Sequence, residues 1–181
     1  MIATAGPAAA RSREAEKLLE RFLQNKKLAS ELTKRSYQNS VGCTIVVARQ
    51  RDTFMQARCP EQAVTLHHVG QANTSVKGIR ARLAYNAAMN LRASLNPGLR
   101  RTRTEPGNTS LDSVSAIKTS RHIVAITGLG DPDMNELFAI VFSCLLNELT
   151  REQLIELCVE TRNKWIVETP GRKQNEKILD C

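Results

Sequence analysis

The side chains best suited to catalysis or metal binding are few and widely separated in this chain of 181 residues. The three histidines are His67, His68 and His122, and none stands at the regular spacing from cysteine or carboxylate residues that zinc ligands show. Successive residues of a strand point to opposite faces, so His67 and His68 could share an ion only from a loop. No serine or cysteine lies in a nucleophile motif such as G-x-S-x-G. The sequence therefore predicts neither a catalytic residue nor a metal site.

A Gly-Leu-Gly turn at residues 128–130 lies between a predicted strand and a predicted helix, where phosphate-binding loops also occur. The residues around this turn do not suit an anion. Asp131 and Asp133 would repel a phosphate group, and no Lys-Ser or Lys-Thr pair follows the glycines. We therefore interpret the turn as structural.

Positive charge is concentrated in one part of the chain. The formal net charge is +8, and no acidic residue occurs between Glu61 and Glu105. This basic window holds seven positive side chains: Lys77, Arg80, Arg82, Arg92, Arg100, Arg101 and Arg103. The window is either a solvated surface or a contact for an anionic partner such as an acidic protein or a nucleic acid.

The five cysteines are scattered and include no C-x-x-C pair: Cys43, Cys59, Cys144, Cys158 and Cys181. This pattern predicts neither a disulfide framework nor a zinc site, and Cys43 and Cys144 lie in apolar runs typical of core residues. A reducing intracellular compartment is therefore expected, either cytoplasm or mitochondrial matrix. The matrix is considered because residues 1–13 are alanine-rich, with two arginines and no acid. No apolar run approaches the roughly 20 residues of a membrane span.

The first half of the chain predicts two amphipathic helices around a hairpin. Apolar residues recur every three or four positions over residues 12–36, which predicts a helix. The β-branched segment 42–48 predicts a buried strand, and residues 53–58 predict its hairpin partner. The stretch 61–73 is expected to be irregular. Residues 74–91 then predict an alanine-containing helix that can pack closely on a sheet.

The second half predicts a further hairpin followed by two helices. Residues 99–113 are rich in polar residues and predict an exposed loop, while 114–117 and 122–127 predict paired strands. The Asp-Pro-Asp segment 131–133 opens a strongly apolar helix, and either aspartate could cap it. A capping box at 150–153 opens the last helix.

This order of elements predicts an α+β fold in which an antiparallel sheet is flanked by helices, with an extra C-terminal helix. Three parts of the chain are expected. They are a flexible N-terminal segment (1–11), one α+β domain (12–148) and a C-terminal helical extension and tail (149–181).

Three segments resemble the GlcG/HbpS-like haem-binding family. They are SVKGIRARLAYNAA (75–88), VSAIKTSRHIVAITGLGDPDMNELFAIVFSCLL (114–146) and CTIVVARQRDTFMQAR (43–58). The resemblance covers roughly residues 12–148 and implies a profilin-like arrangement of sheet and helices. It also implies haem as a possible ligand, although no haem-binding residue can be transferred.

Two loops differ from the family pattern. The family's Asp-x-Gly-Gly hairpin turn is replaced by residues 49–52, and its Gly-Gly-Val-Pro segment by residues 112–115. Both loops border the family's ligand region, so we expect a diverged member that keeps the fold and has lost the ligand site.

Three functional hypotheses follow. The leading one is a non-enzymatic structural or interaction subunit of a larger assembly, bound to other protein subunits or to copies of itself. The first alternative is a protein that binds haem or another small ligand, with His67, His68 or His122 as first candidates and window arginines on the propionates. The second is a ribonucleoprotein subunit that contacts RNA phosphates through Arg92 and residues 100–103.

Overall fold

The structure is a computed structural model that describes residues 7–35, 41–50, 64–71, 74–94, 101–104 and 113–167. These residues form six helices and five strands: α1 (Pro7–Gln24), α2 (Lys26–Arg35), β1 (Gly42–Arg49), β2 (Val64–Gly70), α3 (Thr74–Ala93), β3 (Arg101–Thr104), β4 (Val114–Lys118), β5 (His122–Thr127), α4 (Pro132–Leu145), α5 (Arg151–Glu160) and α6 (Lys164–Val167).

The five strands form one antiparallel sheet in the order β2-β1-β5-β4-β3. Helices cover both faces of this sheet, so the predicted α+β class is confirmed, as is the helix that follows the main domain. In the interior strand β1, Ile45 and Val47 point toward the layer of α1, α2 and α4, whereas Val46 and Ala48 point toward α3. The sheet therefore separates two apolar cores.

Small side chains let α3 lie close to its face of the sheet. Ala84 and Ala88 of the helix are fully buried in one apolar cluster with Ala116 of β4 and Ala125 of β5. Because alanine adds little thickness on either side, the helix backbone can approach the strands closely. This confirms the prediction that the alanine-containing helix packs directly on the sheet.

The first predicted helix is divided in two. It starts at Pro7 rather than near residue 12, and it ends where α2 begins after Asn25. The Asn25 side-chain oxygen accepts hydrogen bonds from the backbone amides of Lys27 and Leu28 at 3.1 and 3.2 Å, which is an N-cap arrangement. The apolar spacing continues across Asn25, so periodicity alone did not show the break.

The strand β1 pairs with β5 on one side and with β2 on the other, and β2 lies where an irregular segment was expected. Its pairing runs from Gly42 opposite Gly70 to Ala48 opposite Val64. The two adjacent histidines obscure the alternation of the strand, which explains the wrong prediction. The predicted partner strand at 53–58 lies outside the described residues.

A short edge strand, β3, occupies part of the predicted loop 99–113. Arg101 pairs opposite Ile117 and Thr104 opposite Val114. The segment is too polar to be recognised as a strand, and the regular hydrogen-bonding edge of β4 is what orders it. This placement brings Arg101 and Arg103 onto the sheet.

Asp131 caps α4, and its side chain accepts hydrogen bonds from the backbone amides of Asp133 and Met134. The first helical residue, Pro132, suits this position because it needs no hydrogen-bond partner. The predicted capping box of α5 is confirmed, with Thr150 and Gln153 bonding reciprocally. That helix ends at Glu160, and Trp165 belongs to the separate short helix α6.

The described cysteines are all buried but differ in state. Cys43 and Cys158 are free thiols whose pKa burial raises to about 12, so they are unreactive near neutral pH. Cys144 is buried in the apolar core, as predicted, and it is disulfide-bonded. Among the described residues, no helix is long and apolar enough to cross a bilayer.

Candidate functional site

The strand β2 directs its two histidines to opposite faces of the sheet. His67 lies opposite Ile45 on the α1 side, and His68 lies opposite Thr44 on the α3 side. His67 is 7% exposed, and its Nε2 has no hydrogen-bond partner among the described residues. The Nδ1 atom of His68 is hydrogen-bonded to the Thr44 hydroxyl at 3.0 Å. Because they face apart, the two histidines cannot bind one metal ion or ligand together.

The buried His67 imidazole should make folding stability fall as the pH is lowered. Burial is the main cause that lowers the pKa of His67, and the positive charge of Arg11 and then His68 lower it further. The folded state therefore resists protonation that the unfolded state accepts, so stability is lost as pH falls below about 6.5, by at most about 1.4 kcal/mol per pH unit for one histidine. Chemical denaturation measured between neutral and mildly acidic pH should show this slope, and His67→Leu should reduce it.

A matched variant tests the assignment to His67. The pKa of His68 is also lowered, first by burial and then by Lys77. Since His68 is only half-buried and already hydrogen-bonded, His68→Gln should change the slope less than His67→Leu does. An equal slope in wild type and His67→Leu would contradict the interpretation.

The third histidine pairs with a carboxylate at the other end of the sheet. The Nδ1 atom of His122 is hydrogen-bonded to Glu148 Oε1 at 3.0 Å, and Glu148 Oε2 accepts a hydrogen bond from the Thr119 hydroxyl at 3.3 Å. Glu148 is almost wholly buried, so this pair fixes the segment between α4 and α5 against the β4–β5 turn. The structure therefore does not bring His122 near His67 or His68.

A cavity of about 530 Å³ lies beside this pair, between the β4–β5 turn and α5. Its acidic lining comes from Glu148, Glu156 and Glu160, and Lys118 is the one positive side chain among the described residues that line it. The remaining lining is polar apart from two leucines: Gln50, Thr119, Ser120, Leu149, Gln153 and Leu157. Carboxylates in such numbers favour a cationic group and disfavour an anion.

The arginines of β3 form ion pairs within the chain. The Nη1 atom of Arg101 lies 2.8 Å from Glu136 Oε1, and Nη1 of Arg103 lies 2.6 Å from Asp133 Oδ1. Glu136 is fully buried at the start of α4, and Asp133 is nearly so. Both arginines are partly exposed, yet their charges balance buried carboxylates. They are therefore less available to an external anion than their sequence position suggested.

The same acidic cluster also holds the C-terminal helix. Lys164 Nζ lies 2.5 Å from Asp131 Oδ2 and 3.5 Å from Asp133 Oδ2. The fully buried Asn163 donates from Nδ2 to the Asp133 backbone oxygen at 2.7 Å and to Glu136 Oε2 at 3.3 Å. These contacts connect β3, α4 and α6, so the cluster has a structural role.

Other members of the basic window lie on α3, in different environments. Arg80 is only 5% exposed and donates from Nη1 to the Gly42 backbone oxygen, so it offers no surface to a partner and the prediction for this residue is wrong. Lys77 and Arg92 are half-buried, and Arg82 is exposed. Arg100 lies outside the described residues.

Two helices each present a pair of large apolar side chains to solvent, and the charged residues beside the two pairs have opposite signs. On α3, Ile79 (51% exposed) and Tyr85 (47% exposed) flank Arg82, and we call these three residues the α3 patch. On α5, Ile155 (45%) and Val159 (61%) lie beside the exposed Glu152 and Glu156, and these four form the α5 patch. Spacings of three and four place each set on one side of its helix.

The acidic side of α5 was missed by sequence reasoning, although a signal exists. Glu148, Glu152, Glu156 and Glu160 recur every four residues. A backbone hydrogen bond, and then a hydrogen bond with the Thr150 side chain, lower the pKa of Glu152, so this group is anionic in neutral solution. The net positive charge of the whole chain obscures this local acidic side of α5.

Comparison with protein-family models, curated proteins and solved structures finds no match to this chain. The resemblance to the GlcG/HbpS-like family therefore depends on the sequence motifs alone. Among the described residues, no group of three or more histidine, cysteine, aspartate or glutamate side chains is placed to bind one metal ion.

Proposed function

We propose that this protein is a non-enzymatic interaction subunit of a larger assembly, with the α3 and α5 patches as its contact surfaces. The observation that carries the proposal is the combination of solvent-exposed apolar side chains with opposite charge on two separate helices. Isolated exposed apolar residues are ordinary, whereas grouped exposed apolar residues with a polar rim mark protein-binding surfaces.

The distribution of charge supports this proposal. The helix α3 contains no acidic residue, whereas α5 contains three acidic residues (Glu152, Glu156 and Glu160) and one basic residue, Arg151. Such separation favours oriented docking, because each surface attracts a partner of one sign and repels the other. The acidic cavity adjoins the α5 patch and extends this negative surface.

The haem hypothesis is less well supported by the described residues. The cavity is lined by three carboxylates, which would repel haem propionates. His67 is buried beneath α1, and His122 is bonded to Glu148. The RNA hypothesis is weakened because Arg101 and Arg103 already balance buried acids.

The test is purification of the tagged full chain at low salt from cells of the organism that encodes it. We expect stoichiometric protein subunits and no Soret band in the absorption spectrum. Ile155→Ser combined with Val159→Ser should weaken retention of any subunit bound at the α5 patch at least about tenfold, since each buried apolar side chain contributes about 1 kcal/mol or more.

The matched control is Leu23→Ser on α1, which exchanges an exposed apolar residue for serine away from both patches. This variant should retain the subunits. Recovery of the chain alone as a monomer would refute the proposal, and a Soret band with no protein partner would favour haem binding instead.

A further inference from the structure

The two patches lie on opposite sides of the molecule. The helix α3 packs on one face of the sheet, against β1, β5 and β4. The helix α5 packs against α4, which covers the other face. With the sheet between them, the patches of one molecule cannot meet, and any contact between them must join two molecules.

The patches also match in length and in chemistry. At 1.5 Å per residue, Ile79 to Tyr85 spans about 9 Å and Glu152 to Val159 spans about 10 Å along their helices. Each patch has two large apolar side chains. A single positive charge stands at the centre of the α3 patch, and two negative charges border the apolar residues of the α5 patch.

We propose that the α3 patch of one copy docks on the α5 patch of a second copy, with Arg82 against Glu152 and Glu156. This inference rests on the proposed function and names its partner. Because the two surfaces differ, the contact is head-to-tail, and repeated contacts produce a ring or an open chain of copies. The chemistry of the patches favours a second copy as the partner, because the positive charge of the α3 patch complements the negative charges of the α5 patch.

Long-range electrostatics opposes this association, since every copy carries a net charge of +8. The local pairing of Arg82 with two glutamates must therefore supply the specificity. A change in salt would alter both effects together, so salt dependence alone does not test the contact. Charge reversal with matched changes elsewhere separates the local effect from the total charge.

The experiment is sedimentation velocity of the purified full chain over a wide concentration range. Wild type should form species larger than a monomer as concentration rises. Arg82→Glu alone and Glu156→Arg alone should each raise the apparent dissociation constant at least about tenfold, since like charges placed together at an interface cost several kcal/mol. The double variant, and an equimolar mixture of the two single variants, should recover most of the association.

The controls are Arg13→Glu and Glu20→Arg, which are exposed positions on α1 and change the total charge by the same amounts. They should leave association near the wild-type level, and circular dichroism should show that all variants are folded. A wild-type protein that stays monomeric overturns self-association, as does equal weakening by patch and control variants. If a different subunit then co-purifies through the α5 patch, the proposed function stands although this inference fails.

Discussion

Phe138→Ala is expected to destabilise the protein by about 3 to 5 kcal/mol, the usual cost of removing a buried phenylalanine side chain. Phe138 is fully buried on α4. Its ring centroid lies 5.1 Å from that of Phe22 on α1 and 6.4 Å from that of Phe142. The ring therefore joins two helices, and its loss would leave a cavity that neither helix can close alone. Chemical denaturation monitored by circular dichroism measures the effect.

Two further variants make this prediction specific. Phe138→Leu keeps most of the volume and should cost clearly less than Phe138→Ala. Leu23→Ala removes a large apolar side chain from the exposed side of α1 and should change stability little. A Phe138→Ala protein as stable as wild type would show that α4 does not occupy the core between α1 and the sheet.

The combined change Arg101→Ser and Arg103→Ser is expected to destabilise the fold by about 3 kcal/mol, because it removes the arginine partners of two buried carboxylates and leaves Asp133 with the more distant Lys164 ammonium at 3.5 Å. The value is placed at the lower end of the usual range because both arginines are partly exposed. Glu136 keeps its hydrogen bond from Asn163, which limits the loss further. From the sequence alone, replacing Arg100, Arg101 and Arg103 together by serine is expected to leave stability nearly unchanged, so a measured loss of stability would favour the ion pairs seen in the structure.

The matched control is Arg13→Ser with Lys26→Ser, which removes two positive charges from exposed positions and should leave stability nearly unchanged. Adding Glu136→Gln and Asp133→Asn to the β3 variant should recover part of the lost stability, since no buried charge then lacks a partner. Equal unfolding free energies for wild type and the β3 variant would contradict a structural role for these ion pairs.

Several features of the fold could be predicted because they depend on local pattern. The strand at the start of β1 is a run of β-branched residues, and the capping boundaries of α4 and α5 follow from aspartate, proline and threonine at fixed positions. These signals act within a few residues, so no knowledge of distant neighbours was needed. The α+β class followed from their order.

The errors concern segments whose structure depends on distant partners. The strand β2 forms because its backbone pairs with that of β1. Its alternation of apolar and polar residues is interrupted by the adjacent His67 and His68, so the sequence pattern does not show a strand. The strand β3 is ordered by pairing with β4. Its arginines Arg101 and Arg103 pair with Glu136 and Asp133 at the start of α4, which lie 35 and 30 residues away in the chain. A run of arginines has the same appearance whether its charges meet solvent, a partner or a buried carboxylate.

The sequence by itself determined most of the helical segments, the strands β1, β4 and β5, the antiparallel α+β class and the basic excess, since these follow from periodicity, capping and composition. Only the tertiary structure decided that the histidines face apart, that Arg80 is buried, that β3 carries structural ion pairs, and that α3 and α5 expose patches of opposite charge. The physical reason is that burial and charge pairing depend on which surfaces the fold brings together, and that information is not local to any segment of the chain.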